Sequence, residues 1–117
     1  MATDDQRKNP RIQSSNLLSY VSCDETDQEI MQGMGRTLNV SKGGILLETH
    51  VPIDQHHVVT LTIALEEELM AFKGRVAHAT KLKDGGFLSG IEFTEMDEKK
   101  RQFFGQYVLF FRGQETA

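Results

Sequence analysis

A single cysteine, two prolines and no long apolar run set the first limits on this 117-residue chain. One thiol, Cys23, rules out an internal disulfide framework and suits a reducing compartment, so the expected location is the cytoplasm. With no basic neighbour in sequence, Cys23 reads as a small strand residue rather than a reactive thiol. No stretch approaches the ~18 consecutive apolar residues of a membrane span. The polar start Met-Ala-Thr-Asp-Asp-Gln-Arg has no apolar segment behind it, as a secretory signal would. Hydrophobic residues make up 38% of the chain, which implies a modest core and a well-solvated surface in one domain, 1–117. Positive charge is also short: 13 Lys and Arg against 17 Asp and Glu leave a net charge of −4. General DNA or RNA binding needs a broad basic surface and is not expected.

Catalytic signatures are equally scarce. His50, His56, His57 and His78 lack the Cys or carboxylate spacing of a metal site. His56 and His57 would point to opposite faces of a strand, and in a loop they would simply be solvated. No Ser-His-Asp arrangement and no phosphate loop occurs, and Glu66-Glu67-Glu68 reads as a solvated hairpin tip. The expectation is a binding protein, not an enzyme, with no metal and no cofactor. A small hydrolase is the reading that turnover alone would revive.

What the chain does contain is short, strand-like runs between turns. The first run covers 16–23, and an acidic connection over 24–28 ends near Gly33 and Gly35. A second run covers about 34–40, and a third covers 45–48. Residues 58–65 alternate cleanly, with Val59, Leu61, Ile63 and Leu65 on one face. A long fifth run over 69–81 places Met70, Phe72, Gly74, Val76 and His78 on one face, with Lys73 and Arg75 opposite. After the Lys83-Asp84-Gly85-Gly86 turn, 87–93 sets Phe87, Ser89, Ile91 and Phe93 against Gly90. The period then changes. Thr94 can cap a helix over 95–112, with Glu95, Asp97 and Glu98 in its first turn. Phe103, Phe104, Tyr107, Val108, Phe110 and Phe111 form its apolar stripe. The pattern predicts a mainly β fold, a six-stranded antiparallel barrel over 15–94, with this C-terminal helix packed on it.

Two stretches stand apart from the strand pattern. Residues 1–14 carry Pro10 and read as an extended, flexible arm. On it Arg7 and Arg11 each offer a planar fork to a phosphate or a guanine edge, and each can stack on a base. The turn Asn39-Val40-Ser41-Lys42-Gly43-Gly44 offers a carboxamide, a hydroxyl, backbone N–H groups and two glycines free to take positive φ. Arg36 and Lys42 flank it with positive charge. Read alone, this turn is a plain hairpin; read with the arm, it is the fixed half of an anion site.

Arg7-Lys8-Asn9-Pro10-Arg11 matches Arg-x-x-x-Arg, and residues 39–44 match Asp/Asn-x-Ser-x-x-Gly about thirty residues later. In that order the two motifs resemble the PilZ domain, a bacterial receptor for cyclic di-GMP. The barrel pattern, Gly90-Ile91-Glu92-Phe93 and the terminal helix fit the same family, so the resemblance spans nearly the whole chain. It implies a cyclic di-GMP receptor without catalytic activity whose arm closes over the nucleotide and alters contact with an effector protein. Arg7 and Arg11 would clamp phosphates and guanine edges. Asn39 and Ser41 would hydrogen-bond a guanine, and Gly44 would let the ligand lie close. Lys8, Gly43, His78 and Gly90 are the secondary positions, His78 standing where some members stack an aromatic ring on a base. The alternative is a PilZ-like adaptor that binds no nucleotide and works through protein contacts. Motility, biofilm formation, pilus function and virulence are all compatible outputs, and monomer and homodimer both remain open.

Overall fold

The computed structural model describes residues 17–116, with side chains through residue 113. Six strands form a closed antiparallel barrel in the order β1-β2-β3-β6-β5-β4. They are β1 (Leu17–Cys23), β2 (Glu29–Ser41), β3 (Gly44–Thr49), β4 (Val58–Leu65), β5 (Glu68–Lys81) and β6 (Phe87–Phe93). The helix α1 (Glu98–Thr116) follows. Alternation does most of the sorting. Val59, Leu61 and Ile63 of β4 are buried in the barrel, as are Leu18 and Tyr20 of β1, Ile45 and Leu47 of β3, and Phe72 and Val76 of β5. Each such side chain gains about 1.5–3 kcal/mol by leaving water.

β2 starts at Glu29, several residues before the expected 34, and Gly33 and Gly35 lie inside it. Glycine normally weakens a strand. Here the inward space is taken by neighbours: the Tyr20 ring lies over Gly33, and the Leu47 side chain lies 2.8 Å from where a Gly35 Cβ would stand. The preceding loop is held by Asp24, whose carboxylate accepts from the Thr26 N–H (2.9 Å), the Thr26 hydroxyl (2.8 Å) and the Gln28 N–H (3.0 Å).

Two one-residue bulges shape the outer wall of the barrel. On β2, Thr37 pairs with Leu47 but Asn39 pairs with Leu46, so Leu38 is the extra residue. On β5, Val76 pairs with Ile91 but His78 pairs with Gly90, so Ala77 is extra. A bulge inverts the alternation beyond it. Val76 is buried, and His78, expected on the same face as Val76, is exposed on the outer wall.

The helix begins at Glu98 rather than 95 and runs to Thr116. Its cap is Asp97, whose Oδ1 accepts from the Lys100 N–H at 2.8 Å. Thr94 cannot serve, because its N–H donates to the Lys73 carbonyl at 2.9 Å and so belongs to the sheet. Phe103, Phe104, Tyr107 and Phe111 are buried on the barrel, whereas Phe110 and its neighbour Leu109 face outward. Phe93 joins the sheet to the helix: it stacks on Phe72 (centroids 5.2 Å apart) and meets Phe104 edge-on (4.9 Å). The Tyr107 hydroxyl and Thr37 Oγ1 are 2.9 Å apart in full burial. Burial raises the Tyr107 pKa above its usual value, and the Thr37 hydrogen bond offsets this in part. The aromatic face is therefore largely core. No described helix is long and apolar enough to cross a membrane.

Candidate functional site

The register aligns outward-facing residues into rows across β2, β3, β6 and β5. One row runs Asn39, Leu46, Gly90, His78; the next runs Ser41, Gly44, Glu92, Arg75. Both bulges are needed for the first row. Without the extra Leu38 and Ala77, Asn39 and His78 would turn toward the core. The first row, with Ser41, Gly44 and Glu92 of the second, floors a cleft of about 550 Å³, a size typical of small-ligand sites, and Arg75 stands beside it as the pairing partner of Glu92. Asn39, Ser41, Gly43, Gly44, His78 and Gly90 all line it. These are six of the nine residues expected from sequence. The other three, Arg7, Lys8 and Arg11, lie outside the described residues.

Each wall has a physical cause. Asn39 Oδ1 accepts the N–H of Val40 at 2.9 Å, which leaves its amide N–H₂ free to donate into the cleft. The Gly43 carbonyl accepts the Phe93 N–H at 2.9 Å and ties the hairpin turn to β6. Gly85 is the one glycine with positive φ among the described residues, so Gly43 and Gly44 do not use that freedom. Gly44 serves another purpose: a Cβ there would collide with the Ile91 carbonyl oxygen, so its bareness allows β3 to pair with β6. At Gly90 a Cβ would strike the His78 imidazole, so the ring lies flat over that glycine on the barrel wall. Gly43 has open space around it.

Positive charge at the cleft is smaller than the sequence suggested. The Arg36 guanidinium is engaged, its Nη2 2.7 Å and Nε 3.1 Å from Glu48 Oε1. Arg75 Nη2 approaches Glu92 Oε1 at 3.5 Å, with both side chains more than half exposed. Glu92 lines the cleft and was not among the sequence candidates. Its position beside Gly90 and Ile91 was in view, but only the β3–β6 register brings it next to Gly44.

The remaining histidines lie at the other end of the barrel. His56 Nδ1 is 3.0 Å from Asp54 Oδ1 in an exposed loop. His57 is not simply solvated, since its Nδ1 lies 2.7 Å from the buried Ser22 hydroxyl. Among the described residues, no group of three or more His, Cys, Asp or Glu could hold a metal.

The sequence profile of the PilZ domain matches residues 5–110. A comparison with curated proteins gives no match. Among solved structures, K. pneumonia MrkH in its apo state is similar, with a TM-score of 0.59 and 12% identity over 85% of this chain and 48% of that one. The chain thus spans about half the length of MrkH. The PilZ domain of CeSA from a cellulose synthesizing bacterium has a TM-score of 0.55 and 13% identity, over 82% of this chain and 93% of that one. At these identities the two structures speak for the fold.

Proposed function

Because the chain belongs to the PilZ domain family, whose members are receptors for cyclic di-GMP, we propose that it is a bacterial cytoplasmic cyclic di-GMP receptor. It binds in the cleft over β2, β3, β6 and β5 and catalyses nothing. The carrying observation is that residues from three separate segments, 39–44, 78 and 90, line one cleft. Asn39 and Ser41 hydrogen-bond a guanine, and the flat His78 ring supports a base. Gly43 leaves the cleft mouth open.

The cleft itself offers little uncompensated positive charge, and the phosphates of the ligand need some. Arg7 and Arg11, with Lys8, supply it in this reading. The described chain begins at Leu17, which pairs with Arg36 beside the Leu38 bulge. Five residues lie between Arg11 and Leu17, six steps with a reach of at most about 20 Å, and in this reading that reach carries the guanidinium over the cleft. Closure of this segment on the nucleotide changes the surface around it, and altered contact with a partner protein carries the signal.

Calorimetric titration with cyclic di-GMP tests the proposal. The expected result is saturable binding at micromolar protein. Arg7→Ala, Arg11→Ala and Ser41→Ala should each weaken it, the arginines by about tenfold or more, as expected for charge-assisted hydrogen bonds. His56→Ala, at the far end of the barrel, should leave it unchanged. No saturable binding would overturn the receptor reading in favour of an adaptor that works through protein contacts.

A further inference from the structure

We infer that Glu92, neutralised by Arg75, is the residue that selects guanine over adenine in this cleft; the inference rests on the receptor reading. A carboxylate on the floor of an anion site needs a reason. Among the cleft-lining side chains, Ser41 and His78 can each either donate or accept a hydrogen bond, depending on rotation or tautomer, and Asn39, its Oδ1 taken by the Val40 N–H, offers its amide as a donor. None of them is an acceptor only, so none demands a base edge that donates. Glu92 is different: an ionised carboxylate only accepts.

Geometry favours its use as a reader. Glu92 lies two residues beyond Gly90 on the same face of β6, about 7 Å along the strand, and Gly90 is the residue that His78 covers. A base lying on the His78 ring therefore directs one edge toward the Ser41–Gly44–Glu92–Arg75 row. The Watson–Crick edge of guanine presents a carbonyl acceptor beside two N–H donors. Glu92 in the cleft and Arg75 beside it present the complement, carboxylate acceptors next to a guanidinium donor, 3.5 Å apart. Held in the same orientation on the His78 ring, adenine puts its amino N–H₂ against the guanidinium and its ring nitrogen lone pair against the carboxylate, so both groups meet their like. Rejection of the wrong base by an unmatched polar group is the stronger form of discrimination. The existing contact between Arg75 and Glu92 is long and solvent-exposed, so an incoming base can replace it with little loss.

Glu92→Gln is nearly isosteric and exposed, so the fold should be retained, which an unchanged Tm would verify. Calorimetric affinities for cyclic di-GMP and cyclic di-AMP are measured on the wild type and on the variant. The expected outcome is a clear wild-type preference for cyclic di-GMP that narrows by about tenfold or more in Glu92→Gln, through weaker cyclic di-GMP binding and equal or tighter cyclic di-AMP binding. If the wild type binds cyclic di-GMP and the ratio is the same in the variant, the role of Glu92 is overturned and the receptor reading survives. If the wild type binds neither nucleotide, both readings fall.

Discussion

Gly43 and Gly44 are neighbours in the β2–β3 hairpin and answer to different demands. A methyl group on Gly44 would press on the Ile91 carbonyl oxygen, a backbone atom that cannot turn aside, whereas Gly43 has nothing within 4 Å of its missing Cβ. Gly44→Ala should therefore lower stability by about 1–3 kcal/mol. Gly43→Ala, at a position without positive φ, should be neutral or stabilise by about 0.4–1 kcal/mol. Urea denaturation of the two variants measures the contrast. In sequence Gly44 looked like clearance for a ligand, with Gly43 a secondary position. A motif records that a side chain is missing but not which neighbour needs the room, and for Gly44 the neighbour is the adjoining strand. Ser41 and Asn39 were legible as polar groups on a turn. Glu92 was not, because its place beside them depends on strand pairing.

At the scale of elements, the helix is bound to the barrel by rings and by one buried polar contact. Tyr107→Phe would strand the Thr37 hydroxyl in the core, at about 1–3 kcal/mol, while Thr37→Val with Tyr107→Phe removes both partners and should recover most of that loss. A double-mutant cycle by chemical denaturation checks this. The aromatic stripe announced the helix in sequence, since three- and four-residue spacing of large apolar side chains has few other uses. Its start was less legible. Thr94 and Asp97 are both good caps, and only the commitment of Thr94 to the Lys73 carbonyl decides between them. The six strands were also legible from alternation and turns. The bulges at Leu38 and Ala77 were not: neither residue type marks a bulge, and both arise from fitting two strands around a closed wall.

Across the whole molecule, the cleft and the histidine loops occupy opposite ends of the barrel. Asp24 is held below the usual 3.8 first by the Gln28 amide and then by the Thr26 hydroxyl; Asp54 is held below it first by the His56 amide. Groups lowered by folding contribute at neutral pH, and that contribution fades as pH falls from 3.8 through the lower folded values. Acid titration followed by NMR should therefore show the Thr26, Gln28 and His56 amides shifting below pH 3.8, and Asp24→Asn and Asp54→Asn should each remove the shift of their own partners. A shift that survives the matching substitution would contradict this assignment. Closure of the sheet has its own effect on partnership. The described barrel has no free strand edge, so a partner cannot dock by adding a strand and must read side chains, the helix or the rim. The bulge at Ala77, finally, makes the outer wall a matter of counting. Which of His78's two possible faces it occupies depends on whether the number of residues between it and Val76's partner position is odd or even. Loss of Ala77 would leave every chemical group of the cleft in the chain and still send the imidazole toward the interior. Shortening or lengthening this strand by one residue is thus a more drastic change than most substitutions within it.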